Sequence, residues 1–412
     1  MSELKLIIQT YLNKFSNATK LIKEVIDINC KQIIIIPSYC ENELEKTLQS
    51  LINCDPPTYI TEIIVVLNSS EEDKKAQIFH QRQKEKLEKL YTKKNKLSFH
   101  FILADNLPAK HAGVGLARKT GMDEAVRHFL ETNYNGLLVC LDADCIVNKR
   151  YLIELEKHAV TPEKYNTICL HFEHTFEDEP DEKLRNGIIF YELFLRYYKE
   201  SLSYCHFPYA FHTIGSSMAV KTSIYCKAGG MNKRKAGEDF YFLAKVFPYE
   251  KVIQLNSAIV YPSARISIRV PFGTGRAQQN FLENNKNEFK SYSFQIFKDV
   301  KEFLGVNFYK KSFNYDDFPE TIKRFFNKSD LENKLSEIKK NTTSQQQFTK
   351  RFFDWFDGFL LLKFVHFARD NFYPNNHLAN EVKSLLTTTE IQFNCNSETE
   401  QLRYLRKKQI LK

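Results

Sequence analysis

Residues 136–144 read GLLVCLDAD, a short apolar run that stops on two aspartates one residue apart. A run of this length, rich in branched side chains and closed by a polar turn, reads as a strand buried on both faces. Working back from it, the same pattern recurs at residues 31–37 (KQIIIIP), 62–68 (EIIVVLN) and 97–103. Between these runs the spacing predicts helices over about 41–53, 71–95 and 113–132. Apolar runs alternating with helices predict an α/β fold: a mostly parallel sheet with helices on both faces.

On either side of this block the pattern loosens. Residues 2–28 read as a helix, with Leu6, Ile7, Leu12, Leu21, Ile22 and Ile26 roughly periodic. After Asp142 the spacing predicts a helix at 149–159, a strand at 166–174 and an aromatic helix at 181–203. Strand-like segments follow near 213–221 and 252–261, with a helix starting near Glu238. Beyond about 280, Phe, Lys and Asn recur in helical spacing without clear strands. The expected division is an N-terminal helix in 1–30 packed on a sheet domain of 31–280, then a helical region of 281–412. No internal repeat or low-complexity segment is visible.

Composition bounds the function classes. The 412 residues are 43% hydrophobic and 26% charged, and carry 34 Phe and 21 Tyr, enough for a sizeable ring-rich core. The nine cysteines form no C-x-x-C pair, their number is odd and nothing at the start reads as a signal peptide. That points to a reduced, cytoplasmic setting over a disulfide framework or a structural zinc site. The net charge of +9 admits acidic partners such as nucleotides or phospholipid surfaces without choosing among them. It is dispersed, and no nucleic-acid recognition motif accompanies it. No apolar run reaches the ~18 residues of a membrane-spanning helix.

The glycines exclude two nucleotide-binding devices. The first of the 13 is Gly113, so no G-x-G-x-x-G follows the first strand. G-x-x-x-x-G-K-[ST] occurs nowhere, which removes the P-loop.

The chemistry concentrates at Asp142-Ala143-Asp144. Two carboxylates at a strand end can turn toward one hard cation, Mg²⁺ or Mn²⁺, and through it toward the phosphates of a nucleotide. The same residues also suit a plain polar turn. Three further segments stand around this pair. The first strand ends in Pro37-Ser38-Tyr39-Cys40-Glu41-Asn42-Glu43. A helix carries Gly113 through Arg118 to Gly121, and Gly237-Glu238-Asp239-Phe240 comes later. In this order the chain resembles family 2 glycosyltransferases of the GT-A fold over about residues 31–276. Their marks are a first strand ending in P-[ST]-Y-N-E, a G-x-x-x-A-R-x-x-G helix, D-x-D at a strand end and a later E-D.

The resemblance implies roles for individual residues. Pro37, Ser38, Tyr39 and Glu41 would wall the nucleobase and ribose end of a nucleoside-diphosphate sugar. Arg118 would lie near the donor's phosphates or sugar. Asp142 would contact the ribose or sugar side and share a divalent metal with Asp144, which holds it on the diphosphate. Asp239 matches the family's general base, and such enzymes invert the anomeric centre by direct displacement. The physical logic stands beside this: an acceptor hydroxyl needs a positioned carboxylate to take its proton, and a cation neutralises the departing diphosphate. Glu238 and Asp239 equally suit the first turn of a helix, where carboxylates are favoured.

Two segments depart from the pattern. The second strand ends in Val66-Leu67-Asn68-Ser69-Ser70-Glu71 where relatives carry an aspartate pair, leaving Asn68 to bond a base edge. After the last strand, where many relatives place a metal-touching His, the chain reads Val260-Tyr261-Pro262-Ser263-Ala264-Arg265. His171, Glu173 and His174 read as acceptor contacts or plain surface rather than a metal site. His212, before Gly215-Ser216-Ser217, is a candidate acceptor contact. Arg265, Arg269 and Arg276 flank Pro271-Phe272-Gly273-Thr274-Gly275, a candidate basic lid. Cys140 and Cys145 read as packing residues.

In the C-terminal region, Phe352-Phe353-Asp354-Trp355-Phe356 through Leu362 reads first as core helix packing. An interfacial helix is the alternative, aided by Arg403, Arg406, Lys407, Lys408 and Lys412. The expected protein is a cytoplasmic inverting glycosyltransferase moving a hexosyl or similar group to a hydroxyl of a glycan or lipid-linked acceptor. Cell-surface polysaccharide assembly, with peripheral contact at the inner face of the membrane through the C-terminal region, completes that expectation. Two rivals stand beside it. A sugar-phosphate nucleotidyltransferase would need a glycine-rich loop after the first strand. A non-catalytic sugar-nucleotide or glycan-binding protein would use a decayed transferase scaffold.

Overall fold

The computed structural model describes residues 2–16, 19–24, 27–161, 165–249, 251–267, 273–283, 288–310, 313–390, 395 and 397–411. The chain divides into two compact units, Met1–Thr175 with Thr213–Arg276, and Phe176–His212 with Ala277–Lys412.

The first unit opens with α1 (Glu3–Phe15), β1 (Cys30–Ser38), α2 (Leu44–Ile52), β2 (Ile60–Ser70) and α3 (Lys74–Leu90). It continues through β3 (Lys93–Lys94), β4 (Leu97–Leu107), α4 (Val114–Thr132), β5 (Leu137–Cys140), β6 (Ile146–Val147), α5 (Tyr151–Val160) and β7 (Thr167–Phe172). After α6 (Glu182–Tyr204), which belongs to the second unit, come β8 (Met218–Lys221), α7 (Thr222–Lys227), α8 (Glu238–Val246) and β9 (Val252–Tyr261).

The sheet order is β3-β4-β2-β1-β5-β8-β7-β9-β6. Strands β4, β2, β1, β5, β7 and β9 run one way, while β3, β8 and β6 oppose them. Ile33 to Ile36 and Ile63 to Val66 are fully buried, as strands sandwiched between helices must be. The chain lays β2 and β4 on one side of β1 and β5 on the other. The C-terminal ends of β1 and β5 therefore flank a switch point, where open α/β sheets place their ligand crevice.

Helix α4 lies directly on this sheet. A Cβ at Gly121 would sit 2.6 Å from Ile35 Cγ2 and 2.9 Å from Val66 Cγ2, so only glycine permits the approach. The helix expected over 2–28 ends at Phe15 instead. Ser16 leaves helical geometry at φ −113°, ψ 158°, and the chain turns to α4, where Leu21 and Ile22 donate backbone N–H groups to the Glu124 carboxylate. Ile26 lies outside the described residues. Tyr11 fastens α1 by donating to Asp123 at 2.7 Å, a carboxylate that also receives Tyr225 and Lys119.

The second unit holds α6, the rest of α9 (Thr274–Glu283), β10 (Lys290–Ser291), α10 (Phe294–Leu304), α11 (Glu320–Phe325) and α12 (Lys328–Lys340). Helices α13 (Gln345–Trp355) and α14 (Gly358–Asn371), the strand β11 (Asn376–His377), α15 (Leu378–Thr389) and α16 (Glu398–Leu411) complete it. Apart from the two-residue pairing of β10 with β11 it is helical among the described residues. Its core is a cluster of rings in which Phe303 contacts Phe308, Phe318, Phe326, Phe352 and Phe356.

The contacts place one segment differently from the expected division, and the Phe352 segment packs as core, as first read. Residues 176–212 belong with the C-terminal helices and not with the sheet, because buried Glu192 on α6 pairs with Arg196 and with Arg406 of α16. The segment around Phe352 to Leu361 packs inward, with Phe356 and Leu361 buried. At the basic end Arg403 pairs with Glu177, Arg406 with Glu192, and Lys408 with Glu200 and Glu390, while Arg403 and Lys407 are exposed. Lys412 lies outside the described residues. No described helix is long and apolar enough to cross a membrane.

The Gly121 contact yields a direct expectation. Gly121→Val drives a branched side chain into Ile35 and Val66 and should cost about 1–3 kcal/mol. A drop of several degrees in the thermal midpoint checks this; an unchanged midpoint would show that α4 can lift without penalty.

Candidate functional site

At the switch point lies a cleft of about 540 Å³, lined by Pro37, Tyr39, Glu41, Asn68, Ser69, Ser70, Asp73, Ala112, Gly113, Val114, Asp142, Ala143, Asp144, Lys235 and Arg265. Each wall comes from the end of a strand or the start of a helix. Pro37 to Glu41 follow β1, Asn68 to Asp73 close β2, and Ala112 to Val114 open α4. Asp142 to Asp144 follow β5. Arg265 comes four residues beyond β9.

The β1 wall is held by α3. Cys40 has a positive φ of 46°, and its N–H donates to Nε2 of His80 at 2.9 Å. Burial lowers the His80 pKa, which keeps this ring neutral and able to accept. Tyr39 donates its hydroxyl to Asp73 at 2.6 Å, a bond that lowers the Asp73 pKa. Ser38 is buried and does not line the cleft.

Arg265 joins two walls. Its guanidinium forks onto both carboxylate oxygens of Glu41 and lies 3.1 Å from Asp144. Among the described cleft-lining side chains, Glu41, Asp73, Asp142 and Asp144 face two cations, Lys235 and Arg265. Asp144 registers the imbalance: burial, then the charge of Asp142, pushes its carboxyl up to about 6 despite the opposing pull of Arg265.

Behind the cleft sits Arg118, buried at 2% exposure, paired with Asp142 on one side and Glu238 on the other. Burial opposes its charge, but Asp142 and Glu238 outweigh that and raise its pKa. The guanidinium lies flat on Gly215, where a Cβ would come within 2.4 Å of it. Glu238 opens α8; burial pushes its carboxyl up to about 7, against the pull of Arg118. Beside it, Asp239 accepts the N–H of Gly215 at 2.9 Å and of Phe240 at 2.8 Å, and burial raises its pKa too.

Of the residues singled out in the sequence, Pro37, Tyr39, Glu41, Asn68, Asp142, Asp144 and Arg265 meet in the cleft. Arg118 stands one layer back and reaches the cleft through Asp142. Glu238 and Asp239 join the same group through Arg118 and Gly215. His212 is elsewhere: it lies in the second unit, 3.3 Å from Gln409 Oε1. Arg276, in the first turn of α9, is not among the cleft-lining residues. Arg269, Pro271 and Phe272 lie outside the described residues. His171 pairs with Glu173 at 2.8 Å, and His174 meets Thr274 at 3.2 Å. Asp73 and His80 carried no motif, although Asp73 does read as a helix cap. Lys235 lies in the basic run Lys233-Arg234-Lys235, which carries no motif of its own.

The donor set suits a divalent cation. Asp142 and Asp144 offer hard oxygen ligands on one loop. The lining carries more negative than positive charge, and Asp144 is raised by it. No histidine lines the cleft.

The sequence model described as glycosyl transferase family 2 matches residues 33–213. The matched segment runs from β1 through β7 and carries the D-x-D and most of the cleft's lining. Similar solved structures include Staphylococcus aureus TarS 1–349 with UDP-GlcNAc, at 17% identity over 74% of this chain and 72% of that one, TM-score 0.37. TarS 1–349 with UDP aligns at 15% identity over 89% and 94%, TM-score 0.37. The mannosyltransferase PcManGT from Pyrobaculum calidifontis, with GDP-Man and Mn²⁺, aligns at 15% over 63% and 64%, TM-score 0.36. The chain spans 60% and 36% of the length of two further TarS structures. No curated protein matches the chain.

The pKa of Asp144 gives a signed expectation. Its folded value of about 6 lies above an ordinary aspartate near ~3.9, so the native state binds the extra proton and stability falls as pH rises between these values. Asp144→Asn should therefore stabilise the protein at pH 8 by about 1 kcal/mol, discounted for the partial exposure of the side chain, and change little at pH 4. Thermal midpoints at the two pH values check it; destabilisation at pH 8 would contradict it.

Proposed function

We propose that the protein is an inverting glycosyltransferase that takes a nucleoside-diphosphate sugar and a hydroxyl acceptor. The observation that carries this reading is the coupling of the cleft to Glu238–Asp239. Arg118 links the D-x-D strand end to the start of α8, so the charge facing a diphosphate and the candidate base share one buried network.

In this reading the nucleobase and ribose lie against Pro37, Tyr39, Asn68 and Asp73, with Asn68 bonding a base edge. Asp142 and Asp144 hold Mg²⁺ or Mn²⁺, which when bound supplies positive charge to the diphosphate. Lys235 and Arg265 add protein charge on the same side. Arg118 orients Asp142 rather than touching the donor. Asp239 accepts the acceptor's hydroxyl proton as the oxygen bonds to the anomeric carbon from the face opposite the leaving group. The carbon–oxygen bond to the diphosphate breaks, its electron pair leaves with the nucleoside diphosphate, and the anomeric configuration inverts. Burial suits Asp239 for this, since it favours the protonated product state.

The acceptor is a hydroxyl of a glycan or a lipid-linked saccharide, and the setting is cytoplasmic assembly of a cell-surface polysaccharide. This part follows from the family alone. The family match over residues 33–213 supports a nucleotide-sugar donor as the substrate class.

A panel of UDP-, GDP-, dTDP- and CMP-sugars, with and without Mn²⁺, tests the reading through release of free nucleotide. One donor should be turned over in a metal-dependent way. Asp144→Ala should abolish that turnover. Asp239→Asn should lower kcat by about 10²–10⁴-fold while leaving donor affinity near wild type. Failure to bind any sugar nucleotide would overturn the proposal and favour a decayed scaffold.

A further inference from the structure

The opposite end of the strands holds a second cluster that the cleft does not use. Cys30 begins β1, Glu62 lies near the start of β2, and His128 comes from α4. All three are buried, and one ligand atom from each lies within 4.8 Å of the other two. His128 Nδ1 is 2.6 Å from Glu62 Oε2, and Nε2 of His100, on β4, is 3.8 Å from the same oxygen.

This set is poorly satisfied by protein alone. The cluster lies beneath an apolar sheet, where an ionised carboxylate requires a cation or several donors. Nε2 of His128 and Nε2 of His100 are both buried without a hydrogen-bond partner among the described residues. Cys30 Sγ lies 3.3 Å from the carbonyl of Gln32, and the Glu62 backbone also bonds it. A thiol, a carboxylate and an imidazole drawn from three separate elements match the ligand chemistry of zinc, and His100 stands beside the carboxylate. Ligand atoms on one zinc ion stand ~3–4 Å apart, given bonds of ~2.0–2.3 Å. The Glu62–His128 bond needs to open by less than 1 Å or so to reach this range.

We infer that Cys30, Glu62 and His128 form a Zn²⁺ site that ties the first and second strands to α4. Binding joins the Cys30 sulfur to the metal as thiolate and releases its proton to water. All three ligands are buried at the end of the strands away from the cleft, so the site holds the fold and takes no part in transfer. Its ligands, at positions 30, 62 and 128, share no short spacing, which is why the cysteine pattern alone speaks against zinc.

The full-length protein tests this without reference to donor or acceptor. Metal-free protein should bind one Zn²⁺ tightly, and its thermal midpoint should rise by several degrees with Zn²⁺ in Asp144→Ala as in wild type. With Co²⁺ in place of Zn²⁺ it should show a thiolate-to-cobalt absorption band in the near ultraviolet. Cys30→Ser should remove that band, His128→Gln should weaken Co²⁺ binding by at least ten-fold, and Asp144→Ala should leave both unchanged. Absence of stoichiometric binding, or of the thiolate band in wild-type protein, would overturn the inference. So would a band that survives Cys30→Ser.

Discussion

A guanidinium with no water around it needs neutralising charge from the protein, and Arg118 takes that charge from two places. Asp142 ends the segment after β5, and Glu238 begins α8. Removing either partner leaves an uncompensated buried charge, a loss of the order of ~3–5 kcal/mol. The pairing therefore fixes where the loop after β5 can sit. It sets the orientation of Asp142, and with it the shape of the cleft. It also fixes the start of α8, which places Asp239 against Gly215. Arg118 acts as a positioning residue, and the flat approach to Gly215 leaves room for nothing larger at that point.

The cleft itself is built with a surplus of carboxylates. Arg265 answers part of it by forking onto Glu41 and approaching Asp144, in the region where relatives carry a metal-touching histidine. Lys235 is exposed on the rim and forms no ion pair among the described residues. Under the proposed function, a diphosphate entering such a site would need further positive charge, which the two aspartates of the D-x-D would hold. The raised pKa of Asp144 is the cost of burying its carboxyl beside that of Asp142.

Much of this was legible in the sequence because strands buried on both faces appear as apolar runs, and Ile33 to Ile36, Ile63 to Val66 and Leu137 to Cys140 did so. The cleft residues from Pro37 to Glu41, with Asn68, Asp142 and Asp144, were legible because they close those runs. What escaped depends on distant partners. The end of α1 is decided by Glu124, about a hundred residues away, and the placement of α6 by Glu192 meeting Arg406. His80 supports Cys40 from α3 with no sequence signature. His212 stood next to an attractive motif, yet its ring turns to Gln409 in the second unit.

The central claim, that this cleft receives a nucleoside diphosphate, is tested most directly by hydrogen–deuterium exchange with and without UDP or GDP in Mn²⁺. The account predicts slowed exchange in residues 37–43, 68–73, 112–118 and 142–145, with the ring cluster around Phe303 unchanged. Protection confined to other segments, or none at saturating nucleotide, would contradict it.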